Sequence, residues 1–116
     1  METVSRSARW PIVARLVERT QRECASFDPA RDDPRQCLTA GVEPIVSLYI
    51  EVRRASDDAL SPVEQSLLDR ALDDWLSQYA ASQGVHHSGR FTVHELAVAY
   101  AADGDLRSTV DDLLDL

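Results

Sequence analysis

The chain has 116 residues, 44% of them apolar, and carries 20 acidic against 12 basic side chains for a net charge of −8. That is enough chain for a core with no disulfide or metal to hold it, and no apolar run in it is long enough to cross a membrane. An acidic surface also opposes phosphate binding, which runs on Lys and Arg. All 12 basic residues are arginine, a usage that high-GC coding or life in concentrated salt would each produce; screened by salt, such a chain stays soluble. The apolar run near the N-terminus is too short, and its flanks too charged, for a secretory signal. The expectation is a cytoplasmic protein, one helical domain over residues 1–116.

The first predicted helix covers residues 8–26. Ser5 or Ser7 is positioned to cap it, and Pro11 falls in its first turn. Trp10, Val13, Leu16 or Val17, Thr20, Cys24 and Phe27 recur at steps of three and four, which predicts a buried stripe. Opposite them Arg15, Glu18, Arg19, Arg22 and Glu23 stand at ion-pair spacing, the pattern of a solvated face. Residues 27–37 then break regular structure with Pro29 and Pro34. Asp28, Asp32 and Asp33 lie there without the alternating ligands and central glycine of a calcium loop.

Gly41–Arg54 is the most apolar stretch, and it reads two ways. Val46, Leu48, Ile50 and Val52 alternate as in a strand, whereas Glu43, Ser47, Glu51 and Arg54 form one polar stripe on a helix. Pro44 suits the first turn of a helix, and no partner strand is evident, so a helix over 42–55 starting at Thr39 or Gly41 is expected. Ser61-Pro62-Val63-Glu64 is a capping box with proline at the first helical position. It opens a helix over 62–82, with Val63, Leu67, Leu68, Ala71, Leu72, Trp75, Leu76 and Tyr79 inward and Asp69, Asp73 and Asp74 outward. Gly84 ends that helix. A second capping box, Thr92 to Glu95, opens a helix over 92–103 that buries Val93, Leu96, Ala97 and Tyr100, and Gly104 closes it. A last helix over 106–115, capped by Asp105 or Ser108, presents Leu106, Val110, Leu113 and Leu114. The fold class is all-α, a bundle of about five helices.

Chemistry has few places to reside. No nucleophile motif, phosphate-cradling glycine loop or cofactor-binding pattern is present, which points away from catalysis. The paired acids Asp32-Asp33, Asp57-Asp58, Asp73-Asp74 and Asp111-Asp112 fall in loops or on polar helix faces, where solvation explains them. Cys24 and Cys37, thirteen apart, read as two buried thiols rather than a bridge. His86, His87 and His94, with Cys24 or Cys37, are the candidate metal ligands; their spacing matches no zinc motif.

Residues 91–116 resemble a helix-turn-helix unit. Phe91-Thr92-Val93-His94-Glu95-Leu96-Ala97, then Gly104-Asp105-Leu106, then Ser108-Thr109-Val110 follow its order. The resemblance implies a DNA-binding regulator in which the last helix reads the major groove through Arg107, Ser108 and Thr109, with Arg90 nearby. Two features depart from it: a long interval from Ala97 to Gly104, and Asp111, Asp112 and Asp115 on the reading helix. The wide apolar faces point instead to protein–protein contact, with self-association as the first expectation. The expected partner is therefore a protein or a second copy, with no membrane and no cofactor.

Overall fold

A computed structural model describes residues 6–55, 60–87 and 90–116. Within them the chain forms five α-helices and no strand: α1 (Arg6–Ser26), α2 (Glu43–Ala55), α3 (Pro62–Ser82), α4 (Val93–Asp103) and α5 (Leu106–Leu113). A π-helical segment, Cys37–Val42, runs directly into α2. The all-α bundle expected from the sequence is the fold observed. The proposed Ser5 cap and the Asp57-Asp58 pair lie outside the described residues.

Local chemistry sets most helix ends. Ser61 Oγ accepts from the Glu64 amide at 3.1 Å while Glu64 Oε1 accepts from the Ser61 amide at 2.9 Å. Thr92 and Glu95 repeat the exchange at 3.0 and 2.8 Å. Each box satisfies two amides that a helix start otherwise leaves unpaired. Gly104 stops α4 at φ 86°, a left-handed conformation that glycine adopts without a Cβ penalty. At α5 the N-cap position belongs to Asp105, whose side chain makes no cap bond, and Ser108 lies inside the helix.

Two starts differ from expectation. α1 begins at Arg6, so Ser7 lies within it and Pro11 is internal rather than in the first turn. The central helix begins earlier than Gly41. Thr39 does not cap it, because its hydroxyl donates back to the Arg35 carbonyl at 3.1 Å. The Glu43 amide reaches Leu38 O, five residues back. Pro44, which has no amide to continue that wider spacing, marks the change to α-helix. Residues 45–53 are helical.

α1 and α3 lie side by side and parallel. Near their N-termini Arg9 binds Glu64, with Nη2–Oε1 at 2.9 Å and Nε–Oε2 at 3.3 Å. Near their C-termini Gln78 Nε2 donates to the carbonyls of Cys24 and Phe27 at 3.0 and 3.3 Å. One core draws on all five helices, including Val13 and Val17, Ile45 and Val46, Leu68, Leu72 and Trp75, Val93 and Leu96, and Val110. Trp75 is fully buried, edge-on to Phe27 at 6.2 Å. Its Nε1 is the one buried side-chain polar atom without a partner among the described residues.

The outward carboxylates of α3 are not simply solvated. Asp69 Oδ1 accepts from the Val93 amide at 2.8 Å and from Gln65 Nε2 at 2.9 Å, tying the start of α4 to α3. Asp69→Ala is expected to cost about 2 kcal/mol in a urea titration, since it removes a charged acceptor from a half-buried amide. A loss under half that would mean the tether contributes little.

Candidate interaction surface

The outer face of α1 departs furthest from its expected chemistry. On a helix of 3.6 residues per turn, Arg15, Arg19 and Arg22 lie within about 60° of one another, and all three are exposed. Their spacing to Glu18 and Glu23 predicted ion pairs. Among the described residues none forms; the pairs present are Arg9–Glu64, Arg35–Asp33, His87–Asp73 and Arg107–Asp111. An exposed pair gains a few tenths of a kcal/mol at best, too little to hold two long side chains in register.

The apolar side chains near the N-terminus of α1 are equally unexpected. Trp10 belongs to the stripe expected to be buried, yet it is 41% exposed, and Ile12 is 54% exposed. Val63, expected on the inner face of α3, is 59% exposed beside Glu64. Further along the stripe Val13, Val17, Thr20, Cys24 and Phe27 are buried as expected. Trp10 and Val63 adjoin in sequence the paired Arg9 and Glu64 near the N-termini of α1 and α3. Ile12, three residues before Arg15, shares the arginine face, whereas Trp10 does not; arginines beside an exposed apolar side chain suit an anionic, partly apolar partner.

A groove of about 680 Å³ runs along α3, lined by Asp69, Arg70, Asp73, Asp74, Arg90 and Phe91 among others. Two of its carboxylates are already committed, Asp69 to α4 and Asp73 to His87. Burial pushes the Asp74 carboxyl up and the neighbouring Asp73 adds to this, against the pull of Arg70. The arrangement provides mixed charge, with the hydroxyls of Ser66 and Thr92 also on the lining.

The structure sends the candidate metal ligands to separate places. His86 is exposed beside a hollow bounded by Val85, Leu113 and Leu114. His87 lies flat on Phe91, 5.7 Å between ring centres, with Nε2 3.0 Å from Asp73 Oδ1. His94 bonds Tyr49 Oη through Nδ1 on the far side of α4. Arg53 also donates to that hydroxyl, at 3.2 Å. No group of three or more His, Cys, Asp or Glu side chains capable of holding a metal occurs among the described residues.

Cys24 and Cys37 are free and buried. Burial pushes Cys24 up to about 11, with Asp74 adding to it. Burial likewise pushes Cys37 up to about 12, with the nearby Cys24 contributing. Such thiols hold little thiolate and make poor nucleophiles. An alkylating reagent near neutral pH is expected to modify neither in the native protein and both in denaturant; rapid native labelling of either would contradict this placement.

The residues of the helix-turn-helix reading do not share a face. Arg90 lines the groove on α3, and Arg107 is exposed 3.9 Å from Asp111. Ser108 is half-buried. Thr109 is 2% exposed, its hydroxyl directed to Asp105 O at 2.8 Å and Asp103 Oδ2 at 3.3 Å. It is turned inward, away from any groove it would read. Sequence reasoning passed over Ile12 and treated Trp10 as core. It also assigned Arg15, Arg19 and Arg22 to ion pairs; the three-residue arginine line within an acidic chain was the available signal.

Among the described residues no helix is long and apolar enough to cross a membrane. No curated protein and no solved structure matches the chain. A family model described as a domain of unknown function, DUF8055, matches residues 7–114. The match extends from the first turn of α1 to just past the end of α5, and the chain belongs to that family.

Proposed function

We propose that this domain works by protein–protein contact and self-associates through the outer face of α1. The reading is supported by one observation above all: Ile12 is exposed on the face of α1 that carries Arg15, Arg19 and Arg22, and these arginines have no ion-pair partner among the described residues of their own chain. Burying the exposed part of Ile12 contributes at most about 3 kcal/mol before the cost of association. Covering the arginines with carboxylates adds direction to the contact. The groove on α3 and the dispersed histidines offer no comparable set of uncommitted groups.

Sedimentation velocity over a wide concentration range tests the proposal. The native chain is expected to rise above its 12.9 kDa monomer mass, and Ile12→Asp to remain monomeric with unchanged helix content. This side chain is exposed, so the variant is expected to fold. A native chain that stays monomeric at every concentration would sink the reading.

A further inference from the structure

We infer that the partner of the α1 surface is the acidic C-terminal end of a second copy, so that the molecules join head to tail. The inference rests on the reading of α1 as the self-association surface and assigns what covers it. The charge along the chain is polarised: residues 1–35 carry seven arginines and six acids, whereas residues 91–116 carry one arginine and six acids. At the C-terminal end Asp112 and Asp115 are exposed and, like Arg15, Arg19 and Arg22, have no ion-pair partner among the described residues. They are accompanied by apolar surface. Leu116 is 44% exposed and Val85 is 40% exposed; Val85 borders the hollow shared with Leu113 and Leu114. One surface thus offers arginines beside Ile12, and the other offers Asp112 and Asp115 in the segment that carries Leu116.

A symmetric α1–α1 contact is disfavoured by the same arginines. Turning two copies antiparallel about the line through Arg15, Arg19 and Arg22 sets guanidinium against guanidinium in the middle of the contact, and the exposed Glu18 and Glu23 that flank the line offset only part of the repulsion. Like charges juxtaposed across an interface are costly. Pairing α1 with the C-terminal end replaces that repulsion with attraction. The two surfaces differ, so the contact does not close on itself as a twofold dimer does, and each added copy exposes another free end.

Two charge-reversed proteins test the assignment: Arg15→Glu/Arg19→Glu, and Asp112→Arg/Asp115→Arg. All four positions are exposed on helix or terminal surface, and circular dichroism checks that both variants fold. At about 0.15 M salt, where charges within roughly 8 Å still interact, the native chain is expected to grow in mass with concentration without stopping at a dimer. Each variant alone, with like charges on both surfaces, is expected to sediment as a 12.9 kDa monomer. An equimolar mixture is expected to recover association, because each surface then meets its opposite. A native dimer that persists in the Asp112/Asp115 variant overturns the head-to-tail inference and leaves the α1 reading intact. Failure of the mixture to associate, when the native chain does, also overturns it. A native chain that is always monomeric removes both.

Discussion

Gly41→Ala is expected to lower the unfolding free energy by about 3 kcal/mol, the upper part of the usual range for overpacking. A Cβ on Gly41 would lie 2.2 Å from Cδ2 and 2.4 Å from Cγ of Trp75, well inside carbon–carbon contact. The indole is fully buried and packed edge-on to Phe27, so neither ring can turn aside without disturbing the core. Relief has to come from separating the π-helical segment from α3. At this chain length the loss corresponds to a fall in melting temperature of roughly 10–15 °C. Gly104→Ala is the matched comparison: nothing lies within 4 Å of its added Cβ, but its φ is 86°. That change is expected to cost about 1 kcal/mol through backbone strain alone. Equal losses at the two positions would show that the contact with Trp75 is not what fixes Gly41.

Glu64→Ala is expected to cost about 3–5 kcal/mol, because it leaves a guanidinium facing an uncharged, water-poor site. Arg9 and Glu64 have side chains only 9% and 3% exposed. Glu64 also completes the capping box of α3, so the loss reaches the helix start as well. Glu64→Gln, which preserves a cap acceptor and one acceptor for Arg9, should lose less. Burial pushes the Glu64 carboxyl up, but the hydrogen bonds from Arg9 and Ser61, helped by the Arg9 charge, outweigh it. The net result lies below the usual carboxylate range. A carboxyl with a depressed folded pKa stabilises the native state fully above its unfolded value, near 4.3. That stabilisation is lost as pH falls through the lower folded value. Urea titrations at neutral and acid pH should therefore show a large gap between native and Glu64→Ala proteins that narrows in acid. A gap below 1 kcal/mol at neutral pH, or one that widens in acid, would contradict this account.

The features legible in the sequence were those decided within a few residues. Both capping boxes, the Gly104 stop and the helical nature of the central stretch depend on neighbours in the chain, and each stands where the sequence put it. Features set by distant residues were hidden. Trp10 lies on the periodic stripe of α1, but periodicity does not show where the supporting helix ends. Asp69 and Asp73 carry the polar signature of a solvent face, yet an amide and an imidazole from later in the chain come to meet them. Gly41 was readable as a helix start, and only the packed fold shows a tryptophan ring against its Cα. A lone glycine in a helical run costs about 1 kcal/mol relative to alanine, a local cost that does not say which side chain packs against it. The arginine line on α1 was visible throughout, but its lack of partners depends on side-chain geometry that spacing alone does not fix.

The parallel alignment of α1 with α3 has a consequence in time rather than in space. Antiparallel neighbours can zip together as soon as a short turn is made, whereas these two helices are joined by contacts 51 to 55 residues apart in sequence. During synthesis α1 is complete long before its support exists, and it must wait for Gln78 to appear before its C-terminal carbonyls are held. Until then the side chains of its inner stripe have no permanent cover. Loop closure over such distances precedes the contacts that reward it. This bundle is accordingly expected to fold more slowly than an up-and-down helical protein of the same length, with its first helix the last to become secure.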